Sequence, residues 1–306
     1  MPEPTRLELA LAGPAGESVD LWRAIVSHGL VELPPMRVDQ ERRLLEVTLP
    51  MNGRRPRTVQ ISEAMAGRAV VEVLGRAPGP SAASALLAAV RHVLRLDEDL
   101  SGFYAVAATD PELAWATRGA GRMIRGPTVF EDVVKTICTT NCSWSATERM
   151  VGALVEHLGA PAVGAPATGS MRRAFPTPAV MATAGEQFYA DQVRAGYRGR
   201  YLRELSASVA EGRLDLEELA DPDLPEDEVE QRLLALPGVG PYAAAHVMVM
   251  SLGRYSKLIL DSWTRPKYAR LNGGRRVSDA GIVRRFRRYG PFAGLAFWLT
   301  VTRDWA

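Results

Sequence analysis

Over the first hundred residues, apolar and polar positions alternate in short runs, and residues 7–12 (LELALA), 44–49 (LLEVTL), 58–61 (TVQI) and 70–74 (VVEVL) read as strands. Asn52-Gly53 and the Arg-Pro that follows mark a turn between the second and third. Residues 19–28 and 81–96 have helical spacing, the latter opened by Pro80 and Ser81. The pattern predicts an antiparallel sheet with helices on one face.

From Asp97 the period changes. Residues 128–138, 145–158, 177–184, 200–211, 226–236, 241–252 and 278–288 carry helical spacing or start signals, punctuated by Gly and Pro. The small-residue stretch 159–170 (GAPAVGAPATGS) reads as a connection. The fold class is mainly α with an N-terminal α+β module, residues 1–105, followed by a helical body, 106–306.

Composition changes this picture little. The chain has 306 residues, of which 47% are hydrophobic and 24% charged, as expected of a globular protein with a substantial core. Its net charge of +2 gives no hint of a polyanionic partner. The distribution does: residues 211–230 hold ten acids and one base, while 265–306 hold ten bases and two acids. The competing reading of the basic run is a solvated helix face. The two cysteines, Cys138 and Cys142, exclude a four-thiolate zinc or iron–sulfur site and a disulfide framework, and the four histidines are scattered. No cofactor and no side-chain metal site are expected. An acidic N-terminus and the lack of ~18 uncharged apolar residues in a row predict neither a signal peptide nor a membrane span, leaving the cytoplasm, or the nucleoid in a prokaryote, as the expected location.

Candidate chemistry is concentrated in residues 226–261. A charged helix ends near Leu236, a Pro237-Gly238-Val239-Gly240 turn follows, and Pro241 starts a second helix, giving a hairpin over 226–253. Such glycines let backbone N–H groups converge on a phosphate. Gly238 to Ala243 also fits the G-x-G-x-x-A dinucleotide fingerprint, with Asp261 near the ribose-binding position. That motif needs a preceding strand, and a charged amphipathic helix precedes it here.

The run Leu236-Pro-Gly-Val-Gly-Pro-Tyr-Ala, followed by Asp261 in Leu-Ile-Leu-Asp, resembles the helix-hairpin-helix DNA glycosylases. Thr136-Ile-Cys-Thr-Thr-Asn141, Phe175-Pro-Thr-Pro178, Ala195-Gly-Tyr-Arg-Gly-Arg-Tyr201 and the stretch from Tyr289 to Trp298 resemble segments of the 8-oxoguanine branch. The N-terminal module is compatible with that branch and with the alkylpurine (3-methyladenine) glycosylases.

The resemblance implies a helix-hairpin-helix glycosylase body that acts as a monomer on double-stranded DNA, swinging a damaged base out of the stack. Asp261 takes the place of the catalytic acid, with a helix N-cap as its alternative role. Pro237, Gly238, Val239 and Gly240 take the place of the phosphate grip, where a monovalent cation can sit when DNA is bound. Asn141 matches the duplex wedge, with a helix cap as its alternative. Trp144, Tyr242, His246, Phe297 and Trp298 are base-pocket candidates, each equally a core residue. Arg265, Lys267 and Arg270 are candidate phosphate contacts. Tyr242 departs from the family's strand-nicking members, which carry a lysine there to form a Schiff base. The resemblance thus implies a monofunctional enzyme, on alkylated or deaminated bases, with 8-oxoguanine as the alternative. A non-catalytic DNA-binding protein and a nucleotide-dependent oxidoreductase are the readings from other classes.

Overall fold

The computed structural model describes residues 5–65 and 67–305. Five strands, β1 (Thr5–Ala10), β2 (Met36–Asp39), β3 (Leu44–Met51), β4 (Arg54–Met65) and β5 (Arg68–Val73), form one antiparallel sheet in the order β1-β5-β4-β3-β2. Alternation sends Leu45, Val47, Leu49, Val59, Ile61, Val71 and Val73 into one buried cluster. Leu86, Val90 and Val93 of α2 (Pro80–Val93) fill the same cluster, spaced as one helix face. On β3 and β4 the paired Thr48 and Thr58 are also buried, their hydroxyls 2.9 Å apart. Between the outer strands, α1 (Leu21–Ile25) leads into a 3-10 turn at Gly29–Glu32.

The remaining chain is helical: α3 (Ser101–Ala108), α4 (Val129–Thr139), α5 (Trp144–Leu158), α6 (Pro178–Thr183), α7 (Arg198–Ala210), α8 (Glu226–Leu234), α9 (Pro241–His246), α10 (Thr264–Leu271), α11 (Asp279–Phe286) and α12 (Ala293–Val301). They enclose two apolar clusters. One gathers α4, α5, α7, α8 and the start of α9; the other gathers α3 with α10, α11 and α12. Tyr242 packs against both, so α9 is the seam of the body.

Helix α4 is buried along almost its whole length, charged residues included. Lys135 Nζ lies 2.6 Å from Glu131, both under 3% exposed, while Asp132 accepts from the Gly126 N–H and from the Ser251 hydroxyl. Burial lifts Glu131 to about 7 against the opposing pull of Lys135. Glu217 completes the helix by accepting from the Val129 and Phe130 amides at its N-terminus. Among the described residues, no helix is long and apolar enough to cross a membrane.

Candidate active site

Helix α8 anchors the hairpin by burying Val229 and Leu233, and Leu236 and Val239 pin the turn beneath it. Gly238 has φ +80°, and a Cβ there would lie 2.7 Å from Tyr201 Cδ2, so conformation and space both require glycine. Gly240 precedes α9 with no side chain to cap it, and Pro241 in the first turn has no N–H. A glycine turn leading into a helix start is the kind of arrangement that can seat a phosphate, although the Val239 N–H is here bonded to the Leu236 carbonyl. A helix precedes it and the sheet is wholly antiparallel, which removes the dinucleotide-binding reading.

After His246 the helix widens by one residue per turn over Val247–Ser251, with the Leu252 N–H reaching back to the Val247 carbonyl at 3.0 Å. The chain then runs without regular secondary structure to Asp261. The Asp261 Oδ1 accepts from the Trp263 and Thr264 amides at 2.8 and 2.6 Å, and Thr264 Oγ1 accepts from the Asp261 N–H at 2.9 Å. The capping role is therefore realised at the entry to α10. It also locks the carboxylate's orientation and leaves Oδ2 without a protein partner among the described residues. Asp261 lies close enough to Tyr242 to help burial raise the phenol's pKa.

Trp263, two residues on, packs at a tilt against Trp298 and Trp305 at centroid separations of 5.9 and 5.3 Å. Trp298 Nε1 donates to the Ser27 carbonyl at 2.8 Å, bringing the α1 end of the N-terminal module against α12. His28 meets His246 edge-on at 6.3 Å, and Tyr242 lies 5.9 Å from His246. The ring of Trp144 covers Gly29, where a Cβ would be 3.1 Å from its Cη2. Trp144, Tyr242, His246, Trp298 and the Asp261 turn thus face one region. Phe297 does not: it is 0% exposed and packed between Tyr268 and Phe286.

Asn141 follows α4 with φ +46°, a left-handed position asparagine tolerates, and its exposed side chain touches Tyr197 OH at 3.3 Å. Arg198 holds this loop from beneath, bonding the Thr140 carbonyl and hydroxyl. Cys138 is buried and its thiol is pushed up to about 12 by burial, whereas Cys142 is exposed. Among the candidate phosphate contacts, Arg265 is bidentate to Asp279 and Lys267 is held by Asp304, while Arg270 is exposed with no ion pair among the described residues.

No protein-family model matches the chain. The chain shares its fold with solved DNA glycosylases, a 3-methyladenine and an 8-oxoguanine enzyme among them. A curated relative from Methanothermobacter thermautotrophicus, a probable N-glycosylase/DNA lyase, is 26% identical over 226 residues, 67% of this chain and 70% of that protein. The 3-methyladenine DNA glycosylase of Archaeoglobus fulgidus superposes with TM-score 0.72 at 24% identity, covering 99% of both chains. The 8-oxoguanine glycosylase/lyase of Clostridium acetobutylicum gives 0.66 at 19%, covering 92% and 93%.

Proposed function

We propose that this chain is a monofunctional DNA glycosylase: it extrudes a damaged base, hydrolyses its N-glycosidic bond and leaves an abasic site. The observation that carries the reading is the Asp261 carboxylate, oriented through Oδ1 by two backbone amides and set beside the hairpin helix and a group of aromatic rings. Bond cleavage develops positive charge on the sugar, and a fixed carboxylate stabilises that charge and orients the attacking water. The hairpin turn grips the backbone, Asn141 enters the gap, and the base leaves the stack for the aromatic region. Alkylated or deaminated bases are the proposed substrates, with 8-oxoguanine the second reading because the segments flanking the hairpin resemble that branch.

The Methanothermobacter relative is a probable N-glycosylase/DNA lyase, and the lysines of this chain argue against lyase activity here. A Schiff base requires a free amine at the sugar C1′. Position 242 is a phenol, and each of the three lysines, Lys135, Lys257 and Lys267, is engaged by a carboxylate.

The test is Asp261→Asn, which keeps the bonds to the Trp263 and Thr264 amides. Lesion-duplex affinity should stay within ~3-fold while single-turnover excision falls by orders of magnitude, ~10²-fold or more. Excision near the wild-type rate would overturn the assignment.

A further inference from the structure

The turn that follows α1 belongs to the N-terminal module, yet it reaches the proposed active site. His28 lines a cavity of about 320 Å³ together with Gly29, Val38, Gln40 and Trp305. Trp305 also packs at a tilt against Trp263, two residues from Asp261, and Trp144 closes over Gly29. The cavity is thus walled by the turn of the sheet module and by Trp305, whose neighbour Trp263 belongs to the carboxylate's turn.

Three buried polar atoms of this part of the molecule have no hydrogen-bond partner among the described residues: His28 Nδ1, His246 Nδ1 and Thr136 Oγ1. Their residues are 5%, 6% and 1% exposed. Thr136 lies on α4 between Thr139, which approaches Tyr242, and Asp132, which bonds Ser251, and this places it level with His246 on the facing helix. Unpartnered polar atoms are costly to bury, and a cluster of them is the mark of a recognition site.

The tautomer of His28 follows from its other nitrogen. Nε2 lies 2.5 Å from the Ile124 carbonyl, which can only accept, so Nε2 carries the hydrogen. Burial and the neighbouring His246, Arg95 and Lys135 keep the ring neutral, with a pKa lowered to about 3. Nδ1 is then a bare lone pair, and what it can meet is an N–H or O–H donor.

Building on the glycosylase reading, we propose that His28 Nδ1 reads the N1–H of an extruded 6-oxopurine lesion such as hypoxanthine or 8-oxoguanine, making the N-terminal module the specificity element of the site. An adenine-type base presents a lone pair at N1, which opposes that of His28. Flipped bases are read along their Watson–Crick edge, and a site built around one such bond rejects the analogue lacking it.

Two substitutions separate reading from structural support. His28→Gln places an amide N–H where Nε2 was and keeps the tether to Ile124, but removes the acceptor. His28→Asn places an oxygen where Nδ1 was and loses the tether. Single-turnover excision is measured on duplexes carrying hypoxanthine, 8-oxoguanine, or the 1-deaza analogue of each, which has C–H for N1–H; ethenoadenine and methylated duplex DNA complete the panel.

The wild type should excise an N1–H base at least ~10-fold faster than its 1-deaza partner, the factor that goes with one good hydrogen bond. His28→Gln should bring that ratio to within ~2-fold of unity and His28→Asn should preserve it. A wild-type ratio of one, or a ratio unchanged in His28→Gln, overturns the inference, and the His28→Gln ratio alone decides should His28→Asn not fold. Excision of ethenoadenine, or release of 3-methyladenine from the methylated duplex, with excision of neither 6-oxopurine also overturns it and leaves the glycosylase reading standing. Excision of nothing in the panel overturns both.

Discussion

At the scale of single residues, Asp261 shows how one side chain can satisfy two sequence readings. The cap and the proposed catalytic acid are not alternatives, because Oδ1 serves the α10 amides and Oδ2 is left over. Tyr242 carries a sharper consequence. With a phenol where a nicking enzyme needs an amine, borohydride added during turnover should trap no covalent adduct, and a protein–DNA band on a denaturing gel would refute the monofunctional reading. The hairpin, Asp261, Asn141 and Tyr242 were legible in the sequence because they stand in local motifs. His28, Trp263 and Trp305 were not, since they lie far apart along the chain and meet only after the module docks on the body. Phe297 appeared beside Trp298 as a pocket candidate, but adjacent helical positions face different ways, and it joins the core.

Elements were read best where burial is one-sided. Most strand runs and α2, α5 and α8 appear close to their expected places because their patterns have a wet and a dry face, while α4, buried all round, is still marked by its Thr128 start and the helical spacing of its charged positions. Helices α3 and α10 gave no periodic signal, and α12 was read only through the family resemblance of residues 289–298. Helix α12 is apolar all round and gives no period, α10 carries Pro266 within its first turn where proline is tolerated, and the short α3 is nearly all apolar. Strand β2, at four residues, is too short to show alternation. The expected helix over 19–28 stops at Ile25, and the chain turns so that Gly29 can pass beneath Trp144. Two tests belong here. Gly238→Ala meets both the +80° φ and the Tyr201 ring, so DNA affinity should fall ~5- to 150-fold from a strain of order 1–3 kcal/mol, read by fluorescence anisotropy. Lys135→Met strands Glu131 within α4 and should lower unfolding free energy in urea by ~3–5 kcal/mol, with much of the loss recovered in the Glu131→Leu/Lys135→Met double variant.

For the whole molecule, the net charge of +2 is a sum of unlike parts. Within the basic C-terminal block, Arg265, Lys267, Arg285 and Arg288 are neutralised by Asp279, Asp304, Glu112 and Asp110, while Arg270 is in no ion pair among the described residues. Affinity for duplex DNA should fall linearly on a log–log salt plot, and Arg270→Ala should reduce the slope by about 0.9. Arg265→Ala should change it less, since that side chain must first leave Asp279. Acid should also act through the seam between module and body. His246 is held by burial at about 4, below its ordinary 6.5, so the unfolded chain binds the extra proton and the stability contribution, full above pH 6.5, is lost as pH falls toward 4. His246→Leu should accordingly lose less melting temperature than the wild type between pH 6.5 and 4.5, and an equal loss would place the acid sensitivity elsewhere. The central claim, base excision without strand nicking, is tested most directly by incubating the protein with lesion duplexes and dividing each product into samples with and without hot alkali. Strand breaks that appear only after alkali are expected; breaks without it, or no abasic product from any lesion, would contradict the account.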